Sequence, residues 1–144
     1  MTVTTPLMDE LARMFNEDAP IARYFGMRLW FDDQGRAVVE LPYNPNLDHA
    51  LKATHGGVYA TMLDTAGWFT AAGAREGKRG ELGIVTSELS IHYLKPAVGT
   101  SLRAVGQVIK SGKRQDIVEM HVYDGQDQLV GHAVGTFVVI SDAS

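Results

Sequence analysis

Thr54-His55-Gly56-Gly57-Val58-Tyr59-Ala60-Thr61-Met62-Leu63-Asp64 reads as two glycines opening a long apolar helix that carries one carboxylate. Successive backbone N–H groups at a helix start, added to the positive end of its macrodipole, form a site for an anion or a developing oxyanion. Glycine there lets a ligand approach the backbone closely. Asp64 stands seven positions beyond Gly57, close to two helical turns, so the two share a face. From Val58 to Ala74 Asp64 is the only charged residue. A carboxylate on a helix this apolar is neutralised, partnered or functional. The plainer alternative is that the glycines only permit close packing and that Asp64 binds nearby backbone.

The rest of the chain frames this helix. Leu7, Met8, Leu11, Ala12, Met14 and Phe15 recur at helical spacing between Pro6 and Pro20, predicting an amphipathic helix over about residues 7–16. Met27, Leu29 and Phe31 alternate, Asp32-Asp33-Gln34-Gly35 supplies a turn, and an apolar strand resumes from Ala37 to Leu41, so a hairpin is expected. Pro42 to Lys52 reads as an irregular connection. The long helix runs from about Gly57 to Gly73, with Arg75, Lys78 and Arg79 in the loop that leaves it. Four β-rich segments follow, Leu82 to Leu94, Ser101 to Lys110, Gln115 to Tyr123 and Leu129 to Ile140. Short turns between them predict a four-stranded antiparallel meander. A helix apolar nearly all round needs cover on more than one side, so the sheet should curve around it. The expected class is α+β.

A length of 144 residues fits a single domain spanning 1–144. The formal charge of −4 and the lack of a basic block disfavour nucleic acid. Zero cysteines exclude disulfides, a thiolate nucleophile and cysteine-ligated metal. Met1 to Thr5 is polar and Asp9, Glu10 and Arg13 interrupt the apolar residues that follow, which is unlike a signal peptide. No apolar run approaches the ~20 residues that span a bilayer, so the expected location is the cytoplasm, with no membrane partner.

His55-Gly56-Gly57 at the helix start, Asp64 within it, and Thr86-Ser87-Glu88-Leu89-Ser90-Ile91-His92-Tyr93-Leu94-Lys95-Pro96-Ala97 on the next strand together resemble the hotdog-fold acyl-CoA thioesterases of the phenylacetate-pathway (PaaI-like) type. Gly99, Gly112-Lys113-Arg114, Asp124-Gly125 and Ala133-Val134-Gly135-Thr136-Phe137 extend the resemblance over about residues 26–140. It implies a hotdog fold, one long helix wrapped by a curved antiparallel sheet, acting on aromatic or medium-chain acyl-CoA. It further implies that the Gly57 N–H polarises the thioester carbonyl, that Asp64 is the nucleophile or the base that activates water, and that Thr86 helps hold that water. The residues suit the chemistry independently, since thioester hydrolysis needs charge stabilisation at the carbonyl oxygen and one group to drive attack. No cofactor or metal is called for.

The family commonly has an amide six residues before the histidine, where this chain has His49, either a donor to the thioester or a solvated loop residue. Asn46 is near enough to substitute. His55, expected to cap the loop at the helix entry, and Gly56 are both expected to sit beside substrate. His92, His121 and His132 fall on separate strands without metal-ligand spacing and read as surface or interface residues. An anionic coenzyme A on a net-negative protein needs a local basic patch, for which Lys95, Lys110, Lys113 and Arg114 are candidates. Tyr59, Met62, Trp68, Phe69 and Trp30 either line an acyl tunnel or belong to the core.

Gly57 and Asp64 lie about 10 Å apart along the helix, too far for one thioester carbon to touch both. Two helices packed antiparallel about a two-fold axis remove the difficulty, so at least a homodimer with shared sites is expected. The resemblance implies the same, with edge strands of the two domains joined into one sheet, and the assembly is a dimer or a tetramer. The rival readings are a hotdog hydratase or dehydratase pairing His49 or His55 with Asp64, and a non-catalytic acyl-CoA-binding protein.

Overall fold

The computed structural model describes residues 4–77 and 83–140. Met1 to Val3, the loop cations Lys78 and Arg79, and Leu82 lie outside the described residues. Thr5 caps helix α1 (Pro6–Arg13) by accepting from the Met8 N–H, and Pro6 occupies a first-turn position where its missing donor costs nothing. The predicted helix over 7–16 does not stop cleanly. It passes into a π-helical turn, Met14–Asp18, and Pro20 starts a second short helix, α2 (Pro20–Phe25), that ends on Gly26 at φ 87°. Met8, Leu11 and Phe15 are the buried face.

Strands β1 (Arg28–Phe31) and β2 (Ala37–Leu41) form the expected hairpin, closed by Asp32 Oδ1, which accepts from the Gln34 and Arg36 N–H groups. Helix α3 (Gly56–Gly73) and strands β3 (Ile84–Tyr93), β4 (Leu102–Ser111), β5 (Gln115–Asp124) and β6 (Leu129–Val139) complete an α+β fold. Among the described residues all pairings are antiparallel, in one six-stranded sheet of order β1-β2-β4-β5-β6-β3. The meander therefore holds only from β4 to β6. Strand β3 lies beyond β6, because residues 94–101 are a crossing rather than a tight turn: the Leu94 and Lys95 N–H groups reach Val130 O, and Ala97 O accepts from the Thr54 N–H ahead of α3.

The sheet wraps α3 at close range. A Cβ on Gly106 of β4 would lie 2.5 Å from Thr70 Oγ1 and 2.7 Å from Ala66 O, so only glycine lets the strand approach. Thr70 Oγ1 also accepts from the Ala37 N–H at 3.0 Å, tying the helix to β2. Ten residues of α3 are buried, at 58, 59, 62, 63, 66, 67 and 70–73. The cover is incomplete. Gly57, Ala60, Thr61, Asp64, Thr65 and Trp68, at spacings of three and four, form a stripe that the sheet leaves open.

The two sheet edges differ. On β1, the Asn16 side chain brackets Leu29, accepting from its N–H and donating to its carbonyl, both at 2.8 Å. Strand β3, ten residues long, has no strand outside it among the described residues. It also carries a bulge between Thr86 and Glu88. The extra residue, Ser87, shifts the alternation by one, so that Ile84 and Thr86 before it and Leu89 and Ile91 after it all turn toward the helix.

Arg75 does not sit in solvent as an ordinary C-terminal cation. It is buried at 1% exposure, with Nε 2.8 Å and Nη2 3.0 Å from the Asp116 carboxylate of β5, and Nη2 also donates to Gly112 O at 2.6 Å. This fork pins the end of α3 to the β4–β5 hairpin. Asp116→Ala strands a buried guanidinium, and chemical denaturation should show a loss of about 3–5 kcal/mol. Replacing both partners, Arg75→Met with Asp116→Leu, should cost less than either single change; an equal or larger loss would mean that the pair itself is the main stabiliser.

Candidate active site

The start of α3 decides which backbone donors are available. His55 is the N-cap at φ −59°, ψ 137°, and its Nδ1 accepts from the Gly57 N–H at 2.8 Å. The expected capping role is what the geometry displays, and it explains the second glycine: a Cβ on Gly57 would fall 2.9 Å from that nitrogen. The Gly57 N–H, expected to polarise the carbonyl, donates to this nitrogen, and the Val58 N–H donates to His55 O. The Gly56 N–H has no partner among the described residues and is the donor left for a ligand.

The two glycines also open onto different cavities. Gly56 lines one of about 380 Å³ with His49, Tyr59, Tyr93 and Lys95. Gly57 lines another of about 380 Å³ with Asn46, Asp48 and His55. The expected set is thereby divided, His49 and Lys95 falling on the Gly56 side and Asn46 on the other. His49 Nδ1 accepts from the Leu51 N–H at 3.0 Å, which assigns the ring proton to Nε2 as a donor. Tyr59 donates to Lys95 O at 2.7 Å, and burial pushes its hydroxyl up from the ordinary range. On the Gly57 side, Asp48 Oδ1 is buried without a hydrogen-bond partner among the described residues, while Oδ2 accepts from Tyr43. A carboxylate wall disfavours an arriving oxyanion.

Asp64 sits on the open stripe of α3. Thr86 Oγ1 donates to its Oδ1 at 2.7 Å, the bond that the β3 bulge aims toward the helix. Thr86, expected to help hold a water, gives its proton to the carboxylate, and its oxygen lone pairs remain acceptors. Asp64 Oδ2 has no partner among the described residues. One helical turn on, Trp68 donates from Nε1 to Ile84 O at 3.0 Å and packs its ring on Phe69 at 4.9 Å, so an apolar surface adjoins the carboxylate. Met62 is core, and Trp30 alternates onto the face of β1 opposite Leu29, away from the helix and from any acyl tunnel there.

Lys110, Lys113 and Arg114 line a separate cleft of about 510 Å³ on the β4–β5 hairpin. Because Arg75 holds that hairpin through Gly112, the cleft lies at the far end of α3, about 17 Å along the axis from Asp64. Sequence reasoning missed Tyr93, whose ring would meet a Cβ on Gly56 at 3.3 Å and lies 5.8 Å from the Tyr59 ring. The three strand histidines are on separate strands as expected, but register sets His92, His132 and His121 side by side.

Among the described residues no helix is long and apolar enough to cross a membrane. The thioesterase superfamily profile matches residues 51–131, which hold α3, Asp64 and Thr86. The chain is 29% identical over 118 residues to the acyl-coenzyme A thioesterase PaaI of Escherichia coli K12, covering 81% of this chain and 79% of that protein. A Bacillus halodurans protein solved with CoA superposes with a TM-score of 0.76 at 34% identity, covering 95% of this chain and 90% of that one. The E. coli PaaI structure, from the phenylacetic acid degradation operon, shares the fold with a TM-score of 0.82 at 24% identity over 95% of each chain. With its long helix held in a curved six-stranded sheet and Asp64 facing out of it, the chain belongs to the thioesterase superfamily as a PaaI-like hotdog protein.

Proposed function

We propose that the protein is an acyl-CoA thioesterase acting on aromatic or medium-chain acyl groups, with Asp64 as the group that drives attack. The observation that carries this reading is the Thr86–Asp64 hydrogen bond, which orients a carboxylate on the open face of α3 and leaves Oδ2 toward solvent. Oδ2 then either removes a proton from attacking water or adds to the thioester carbon itself. As a base, Oδ2 takes a proton while the water oxygen bonds to the thioester carbon and the C–S bond breaks. As a nucleophile, Oδ2 itself bonds to that carbon and expels the thiolate, and water then cleaves the resulting mixed anhydride to free the acid and restore Asp64. In both routes one water is consumed and the thiolate takes up its proton. The carbonyl oxygen receives the Gly56 N–H at the helix N-terminus, with His49 Nε2–H as a second donor in the same cavity. The basic cleft of Lys110, Lys113 and Arg114 suits the nucleotide phosphates, with Lys95 nearer the thioester. The relatives support this: one is named an acyl-coenzyme A thioesterase and another was solved with CoA. Asp64→Asn, nearly isosteric, should lower acyl-CoA turnover about 10²–10⁴-fold with unchanged melting temperature. Retention of more than a tenth of wild-type turnover would remove Asp64 from the chemistry.

Each site in this reading draws on two chains. Gly56 and Asp64 are about 12 Å apart along one helix. The open stripe consists largely of small residues, Gly57, Ala60, Thr61 and Thr65, that admit a second helix closely. Antiparallel packing of two copies sets the start of one helix beside the middle of the other, while the uncovered β3 edges pair. Gly56→Pro deletes the donor at a first-turn position where proline fits, and His55 already has the extended ψ that precedes proline. Mixing inactive Gly56→Pro and Asp64→Asn chains should recover up to about a quarter of wild-type turnover, half of the dimers being mixed with one intact site. Folded, subunit-exchanging variants that stay as inactive together as apart would refute the shared site.

A further inference from the structure

On the face of the sheet turned away from α3, strand register assembles residues that are far apart in sequence. Along β5, Val118, Met120 and Val122 are buried, so Glu119, His121 and Tyr123 point outward. His121 stands directly opposite His132 of β6, which stands opposite His92 of β3. His132 Nε2 is 2.9 Å from Glu119 Oε2 and His121 Nε2 is 4.0 Å from the same oxygen. All three ligand atoms lie within 4.8 Å of one another. The His121 and His132 rings meet edge to face at 4.9 Å, and the His92 ring stacks over His132 at 6.2 Å and 9°.

We propose that Glu119, His121 and His132 form a binding site for a divalent transition metal of the zinc class. Two imidazoles and one carboxylate are a recognised zinc donor set that leaves a coordination position for water. Bond lengths of about 2.0–2.2 Å require ligand atoms roughly 3.3 Å apart in a tetrahedral site. One pair is already closer than that, and the others close by rotation of side chains that are 26–38% exposed. His121 is steadied on its other side by Tyr123, with ring centroids 6.2 Å apart. The nearby Arg103 cation is engaged by Asp127 at 3.0 Å and lies over the Tyr123 ring. The nitrogen-rich donor set selects zinc, cobalt, nickel or copper over magnesium. Because the ligands come from β5 and β6 on the face opposite Asp64, the ion ties two strands together and takes no part in the hydrolysis. The proposal stands or falls independently of the hydrolase reading.

The test is calorimetric titration of chelator-treated, full-length protein with Zn2+, alongside Mg2+ and the variants His132→Ala, Glu119→Gln and the double variant His121→Ala/His132→Ala. Wild type should bind one Zn2+ per chain at this site, ignore Mg2+ and melt at a higher temperature with zinc. The single variants should bind more than about tenfold more weakly, since loss of even an outer-shell partner costs that much. As a readout needing no variant, zinc should shift the ring resonances of His121 and His132 ahead of those of His49 and His55. Equal zinc binding by wild type and a folded double variant, or ring shifts confined to other histidines, would overturn the site.

Discussion

Helix α3 must be buried along most of its length and yet leave one carboxylate reachable, and the remainder of the fold answers to that double demand. Ten of its residues are enclosed by the sheet, at a distance that only Gly106 makes possible. The fork from Arg75 to Asp116 fixes its end and the Thr54 N–H to Ala97 O bond fixes the approach to its start. What remains is a stripe of small residues with Asp64 at its centre. An uncovered stripe on an otherwise enclosed helix has an unmet demand for a partner, and the unshielded ten-residue edge of β3 lies beside it.

Much of this was legible in the residues. The hairpin, the long helix and the segments that became β4 to β6 follow from period and turn chemistry, and Asp64 announced itself as a lone charge on an apolar run. The rest depends on geometry that no spacing encodes. The placement of β3 beyond β6 turns on where the Lys95 and Thr54 backbone groups find partners, a nonlocal matter. The π-helical turn at Met14–Asp18 breaks a period that continues in sequence. The β3 bulge is invisible as a pattern because one added residue only inverts the alternation, yet it lets Thr86 reach Asp64 while Leu89 and Ile91 still face the core.

The two glycines show the same limit at the scale of single atoms. Both read as candidate oxyanion donors, and the family resemblance pointed to Gly57. Which N–H has a partner depends on the rotamer of His55, whose Nδ1 accepts from Gly57 and not from Gly56, a contact that no spacing encodes. The strand histidines are the converse case: separated by 29 and 11 residues along the chain, they become neighbours only through cross-strand register.

The central claim is that the carboxylate on the open stripe hydrolyses acyl-CoA thioesters. The most direct measurement is free-thiol release by the purified protein over a panel of aromatic, medium-chain and 2-enoyl acyl-CoAs, with hydration of the enoyl substrates followed in parallel. The account predicts thiol release that saturates with aromatic or medium-chain substrates, and no hydration. Hydration without thiol release would place the protein among the hydratases, and tight binding of every acyl-CoA without turnover would make it a binding protein; either result contradicts the account.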